Sequence, residues 1–374
     1  MSAIGLSVDV IGAGVAGLAV ATALAQRGAS VTVHEQAPEI AEVGAGLQIS
    51  PNGAAVLAAL GQGDALRAAG LDSRAVVLRD YAQGRQVLRL DLTRLPGPHP
   101  FILIHRARLI EILERAARGA GVTIKLGSRV KAGDLDAGLV IGADGVRSGI
   151  RAALNGSGKP FFTGQVAWRA VIADEGVSPE AHVWMGPRRH LVTYPLSGGL
   201  RNIVAVEERS AWADEGWNHE DDPANLQRAF AGFAPEVRGW LDRVETVHLW
   251  GLFRHPVAAR WHDNGRVILG DAAHPTLPFL AQGANLALED AWVLADCLAQ
   301  LPQAEALALY QSRRAPRARR VIEAANANAR NYHLANPLVR NVAHTVLRVG
   351  GAVAPQAALG RFEWLYGHDV TKGG

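Results

Sequence analysis

The apolar positions of the chain follow three rhythms. Short, mostly apolar runs at residues 8–11, 31–33, 101–104, 138–143 and 267–269, broken only by Asp9 and Thr32, have the length of strands covered on both faces. Between them, residues 18–27 and 109–118 carry apolar side chains at helical spacing, as do Leu286, Leu288, Ala291, Trp292, Leu294, Ala295 and Leu298. From Phe161 to Glu207 the period changes to two, predicting strands over 165–172, 181–185, 190–195 and 202–206. The first rhythm predicts an α/β domain around a parallel sheet, and the third an antiparallel lobe inserted into it. A hairpin is expected over 74–79 and 85–90 around Gln83-Gly84, with short strands at 122–125 and near Val130. A loop carrying Trp212, Trp217 and the acidic run Glu220 to Asp222, a helix over 226–233 and a strand over 244–252 return the chain to the first domain. Beyond Asp290 the pattern is helical, with interruptions expected at Pro302, Pro316, Pro337 and Pro355. The expected parts are therefore 1–160, the lobe 161–252, 253–300 and a helical C-terminal region 301–374.

Three of the predicted strands end in glycine-rich turns. Gly12, Gly14 and Gly17 follow the first strand and open a helix, and Glu35 ends the second strand. Glycines in that setting let the backbone approach a pyrophosphate at a helix N-terminus, and the acid takes a ribose hydroxyl. Glu35 in place of an arginine favours FAD or NAD over NADP. Asp144-Gly145 and Gly270-Asp271 end two further strands, and such ends gather at one edge of a parallel sheet. After Asp271, Pro275 and Pro278 hold the loop extended, and Gly283 opens a helix whose free N–H groups attract negative charge. A second glycine-rich loop, Val43 to Asn52, can lie against a flat ring, with Gln48 facing ring or substrate. Arg106, at a strand-to-helix junction, either reaches a cofactor or is a surface arginine at a helix start.

Composition narrows the partners. A net charge of +3 without basic runs excludes nucleic acid as an expected partner, and the arginines from Arg313 to Arg320 read as a solvated or ion-paired helix face. Cys297 is alone, so neither a disulfide nor a metal cluster is expected, and a reducing, cytoplasmic setting fits. Neither a signal peptide nor a membrane span is expected.

With these motifs in order, the sequence resembles the flavin-dependent aromatic monooxygenases of the para-hydroxybenzoate hydroxylase type. The resemblance rests on Gly12-x-Gly14-x-x-Gly17, Asp144-Gly145-x-x-Ser148-x-x-Arg151 and Gly270-Asp271-Ala272-Ala273-His274-Pro275. Trp168-Arg169, His190-x-x-x-Tyr194-Pro195, Gln282-Gly283 and Leu365-Tyr366-Gly367-His368-Asp369 are similar to the salicylate, 3-hydroxybenzoate and 6-hydroxynicotinate hydroxylase branch. It implies a Rossmann-like FAD domain of the glutathione reductase type with an inserted antiparallel lobe and a helical C-terminus. It further implies that Glu35 holds the adenosine ribose, Arg106 the flavin side of the cofactor and Asp271 the ribityl chain. Asp144 would mark where pyrophosphate and nicotinamide cofactor meet, and Gly283, Ala284 and Asn285 the flavin pyrimidine edge. Gly12, Gly14, Val15, Ala16, Gly17, Gln36, Gly46, Val130 and Pro278 complete the implied cofactor set. Gln48, His190, Tyr194, Pro278 and Phe279 are the implied substrate set. Ala281 departs from the family's common glycine, and the stretch from Val130 to Gly138 is shorter than in relatives.

The activity implied is hydroxylation of a small phenolic or heteroaromatic ring, using NADH or NADPH and O2 through a C4a-hydroperoxyflavin. A phenolate is a better nucleophile than a phenol, so His190 is the expected base, with Tyr194 on the same sheet face as the expected catalytic partner. The alternatives left open are an FAD-dependent oxidoreductase or epoxidase acting on a non-aromatic substrate, and a non-enzymatic FAD-binding protein. The oligomeric expectation is a monomer or homodimer.

Overall fold

The computed structural model describes residues 3–40, 45–135, 137–156, 158, 160–176, 178–210 and 219–372. Val43 and Gly44 of the second glycine-rich loop, and Trp212 and Trp217, lie outside the described residues. Among the described residues the strands form three sheets. In one, the parallel strands Arg266–Ile268, Leu139–Gly142, Ser7–Ile11, Ser30–His34 and Thr123–Lys125 lie in that order. The strand His262–Asp263 runs antiparallel at its edge. Their valines, leucines and isoleucines share one core with the helices Val15–Ala25, Arg106–Gly119 and Gly283–Gln300. Ile11 and Ile268 both pair with Gly142, so the three glycine-rich turns open at the same edge, as expected.

The lobe is a mixed sheet in the order His219–Asp221, Val247–Arg254, Phe161–Ala173, Leu200–Glu208, Arg189–Leu196, Glu180–Gly186, Ala75–Asp80 and Gln86–Asp91. The hairpin Ala75–Asp91 therefore completes the lobe from within the first 160 residues, and its pairing with Glu180–Gly186 is parallel. One face buries Trp168, Leu191, Ile203 and Ala205 against Leu226, Phe230, Val237 and Trp240. The other presents Ala167, Val206, Trp250 and Leu252 toward Phe279, Ala325 and Ala329. The third sheet joins Gly46–Ile49, Ile102–His105 and Leu71–Asp72.

Several expected elements differ. Val130 lies in no strand; a 3₁₀ turn follows it, and the Lys131 amide donates to Asp134 Oδ2 at 2.9 Å. The acidic run is not a loop, because His219–Asp221 pairs with Val247–Arg254 and Asp222 caps the next helix. The helix expected over 226–233 is found as Pro223–Ala229, and a second helix that was not expected, Pro235–Leu241, follows it, each begun by its proline. Pro302, Pro337 and Pro355 mark helix starts, but Pro316 lies inside the helix Gln303–Tyr332. The missing N–H forfeits one intrahelical bond. Burial of Ala315, Ala318 and Val321 holds the helix through that point. On the helix Pro337–Val353, Val339, Val342, Val346, Val349 and Val353 remain exposed.

Candidate active site

A cavity of about 740 Å³ lies between the carboxyl edge of the parallel sheet and the inner face of the lobe sheet. Its first end is the turn after Ser7–Ile11. A Cβ on Gly17 would sit 1.9 Å from the Gly12 carbonyl oxygen, so only glycine allows the helix to start this close to the strand. The helix has no side-chain cap and no acid in its first turn, leaving amides at the cavity where Gly14, Val15 and Ala16 line it. Glu35 Oε2 accepts from the Ala13 amide at 2.8 Å and Oε1 from the Ala37 amide at 2.9 Å, which fixes the carboxylate at the cavity wall. Gln36, Arg106 and Val130 line the same wall. Asp144 Oδ2 accepts from the Gly149 amide at 2.9 Å, while Oδ1 is buried with no partner among the described residues. Burial raises the Asp144 carboxyl above its ordinary value, against the hydrogen bonds that favour the charge.

The loop after Arg266–Ile268 forms the floor. Pro278 starts a 3₁₀ turn that ends at Ala281 in the left-handed region, φ 52°, where glycine is easier. Gly283 and Ala284 line the cavity at the start of an uncapped helix. Asp271 is exposed at the cavity wall, and the protein packed around its carboxyl raises it by desolvation while His274 and Arg106 oppose the shift. Asn285 does not line the cavity. Its Oδ1 accepts from the Ser50 amide at 3.0 Å, and its Nδ2 donates to the carbonyls of Gln48 at 3.0 Å and Ala281 at 2.9 Å. It clasps the loop of Gln48 to the floor.

Below the floor, Gly270 donates to Asp290 Oδ2 at 3.0 Å and His274 Nε2 lies 2.5 Å from the same oxygen. Asp290 Oδ1 accepts from Arg314 at 2.6 Å, and Glu289 meets Arg314 at 2.6 Å and Arg317 at 3.0 Å. The arginine cluster is thus partly a buried ion-paired network rather than only a surface face.

The roof is the lobe sheet. Register places Ala167, Val206 and His190 in one row, Arg169, Val204 and Val192 in the next, and Asn202 and Tyr194 in the third. His190, Tyr194 and Arg169 thereby surround an apolar strip of Val192, Val204 and Val206, all lining the cavity. The Arg169 guanidinium lies 4.0 Å from the Trp250 ring centroid, which also lines it. The Tyr194 ring packs on the backbone at Gly46, whose amide donates to Asn202 Oδ1 at 2.7 Å. Burial pushes the Tyr194 hydroxyl up, against the opposing charge of Arg169.

His190 is buried, and its Nδ1 lies 2.6 Å from His333 Nε2. His333 Nδ1 lies 2.9 Å from Glu208 Oε1. Burial, then the neighbouring His333, holds the His190 imidazole well below its ordinary pKa, so it is neutral at pH 7.

The structure brings Gly12, Gly14, Val15, Ala16, Glu35, Gln36, Gly46, Gln48, Arg106, Val130, Asp144, His190, Tyr194, Asp271, Pro278, Gly283 and Ala284 to one cavity. Gly17, Asn285 and Phe279 are not among its lining residues. Gly17 shapes the turn, Asn285 clasps the loop, and Phe279 packs 5.7 Å from the His190 ring within the core behind it. Sequence reasoning assigned no cavity role to Arg169 or Trp250. Arg169 was within reach, since period two from Ala167 places it on that face. Nothing local marks His333 or Glu208.

The uncapped helix starts, the partnerless Asp144 oxygen and the long cavity between them fit an adenine dinucleotide carrying a flavin. A family model described as "FAD binding domain" matches residues 6–136 and 131–325. A 3-amino-4-hydroxybenzoate 2-monooxygenase of Streptomyces platensis is 33% identical over 97% of this chain and 96% of its own. A 3-hydroxybenzoate 6-hydroxylase of Polaromonas naphthalenivorans (strain CJ2) is 34% identical, covering 98% and 96%. The crystal structure of Klebsiella pneumoniae HpxO complexed with FAD and uric acid superposes with a TM-score of 0.82 at 26% identity, covering 94% and 95%. The chain belongs to the FAD-binding domain family. It is an FAD-dependent monooxygenase.

Proposed function

We propose that this monooxygenase hydroxylates a small aromatic carboxylic acid bearing a ring hydroxyl, with NADH or NADPH as reductant. The observation carrying this reading is the roof, where a neutral histidine and a tyrosine flank an apolar strip with an arginine across it. The relatives named for hydroxybenzoates support the substrate class. FAD would be held by the first glycine turn, Glu35, Arg106, Asp144, Asp271 and the amides of Gly283 and Ala284, and when bound it supplies the oxygen chemistry. The chain supplies the rest. Val192, Val204 and Val206 take the ring face and exclude water, while Arg169 pairs with the carboxylate. His190 accepts the ring hydroxyl's proton, which makes the ring electron-rich, and Tyr194 hydrogen-bonds the same oxygen.

The test is a screen of hydroxybenzoates and hydroxypyridine carboxylates for stimulated NAD(P)H oxidation with matching hydroxylated product. Stimulated oxidation yielding only hydrogen peroxide for every acid would sink the reading. In wild type the depressed His190 pKa keeps the base free as pH falls below about 6.5, its ordinary value. His190→Ala should therefore slow hydroxylation most at low pH and approach wild type near pH 9–10, about where a phenol ionises unaided. Arg169→Met should raise KM for the acid about 10- to 100-fold, the size of a lost charged hydrogen bond, and leave the corresponding amide nearly unaffected.

A further inference from the structure

His190 is reached from behind by two side chains that no cavity motif includes. His333 follows the helix Gln303–Tyr332 and is itself nearly buried, while Glu208 ends the roof strand Leu200–Glu208 and is 38% exposed. We propose that Glu208 and His333 are positioning residues that set the tautomer of His190 and carry its proton to solvent. The inference rests on the base role proposed for His190.

Hydrogen-bond directions around the chain decide it. An ionised Glu208 only accepts, so the proton in its 2.9 Å contact sits on His333 Nδ1. Neutral His333 then has a lone pair on Nε2, and the 2.6 Å contact with His190 must take its proton from His190 Nδ1. Neutral His190 is left with a lone pair on Nε2, the nitrogen still available to the cavity. A carboxylate two rings away thus turns His190 into an acceptor, the logic by which an acid orients a catalytic histidine.

Other groups around the pair leave this order intact. The rings of Phe279 and Tyr332 lie 5.7 and 5.3 Å from the His190 ring, and burial pushes the Tyr332 hydroxyl up to about 12, so neither adds charge. The Gln165 amide is 3.4 Å from His333 Nδ1, a longer and uncharged contact than that of Glu208. Arg189 disfavours charge on His333 and is ion-paired at 3.3 Å with Glu207, which also meets Arg209 at 3.1 Å.

The proton balance closes. The ring O–H bond breaks with its electron pair left on oxygen, and the proton joins His190 Nε2. The Nδ1 proton of His190 passes to His333 Nε2, and the Nδ1 proton of His333 passes to Glu208, from which water removes it. Reprotonation of the product oxygen runs the path backwards and restores both tautomers.

The first test needs no substrate. In the FAD-loaded protein labelled with ¹⁵N-histidine, resonances lost in His190→Ala identify that ring. The expected result is a protonated Nδ1 and a bare Nε2, with the bare-Nε2 population falling by about half or more in Glu208→Gln and kept in Glu208→Asp. A protonated Nε2 in wild type, or no change in Glu208→Gln, overturns the proposal. The second test is the pH profile of hydroxylation for His190→Ala, His333→Phe and Glu208→Gln. The latter two should lose about tenfold near pH 7, recover toward pH 9–10 and add nothing to His190→Ala. If His190→Ala alters the profile and the other two do not, the relay fails and the base role stands. If none alters it, the base role fails and takes the relay with it.

Discussion

Gly17→Ala should yield a protein that purifies without flavin colour. A methyl group at this position would lie 1.9 Å from the Gly12 carbonyl oxygen, 3.0 Å from its carbon and 3.3 Å from the Ala143 side chain. The first two are backbone atoms, so no rotamer relieves the clash, and the helix Val15–Ala25 must withdraw from the strand Ser7–Ile11. That helix is packed against Gly283–Gln300 and Arg106–Gly119 in the same core, so its movement is resisted by both neighbours. The amides at its start lose their common aim, and FAD affinity should fall at least about 100-fold, roughly two lost charge-assisted hydrogen bonds. Flavin absorbance of the purified protein and titration of the apoprotein with FAD measure it. A yellow variant with near wild-type affinity would show that the turn tolerates the methyl.

Arg314→Met should be the most destabilising change outside the cavity. Arg314 is buried between Glu289 Oε2 and Asp290 Oδ1, each at 2.6 Å. Burial alone would raise both carboxyls; for Glu289 the nearby Arg314 and Arg317 outweigh it, and for Asp290 His274 and Arg314 do, so both lie below their ordinary values. Methionine fills the stem's volume but leaves Asp290 with only the histidine and glycine contacts described above, at a cost of about 3–5 kcal/mol. The pH dependence follows. In wild type, the contribution of two depressed carboxyls is complete above their unfolded pKa near 4 and is lost as pH falls through the lower folded values. Without Arg314, burial is opposed by fewer charges and the folded pKa of Asp290 moves upward. The stability gap from wild type should then narrow as pH falls from about 7 toward 5. Denaturant unfolding at several pH values reads both effects, and an equal gap at each pH would argue against the ion network as the cause.

What the sequence disclosed was what is encoded locally. A strand ending in glycine and an acid carries its own geometry, so Gly12, Asp144 and Asp271 could be assigned to one edge before any pairing was known. Period two likewise put His190 and Tyr194 on one face. The failures are of another kind. His219–Asp221 reads as an acidic loop because an edge strand needs no apolar face, and its pairing with Val247–Arg254 is set by the partner. Pro316 reads as a stop because propensity counts only the lost hydrogen bond, whereas the buried alanines around it decide the outcome. His333 joins His190 across 143 positions, a distance no motif spans.

The parallel pairing of Ala75–Asp80 with Glu180–Gly186 also governs how the molecule is assembled. The hairpin is made early in synthesis, yet the edge it covers arrives only after the chain has crossed the first domain and returned. Until then both partners present open strand edges, and closing them requires a long loop of already structured chain. The sheet that carries the cavity's roof is therefore not drawn from one continuous stretch: its far edge is made of residues that leave the ribosome before those of the cavity's floor, and its parallel contact closes a long loop, a non-local pairing of the kind that slows folding.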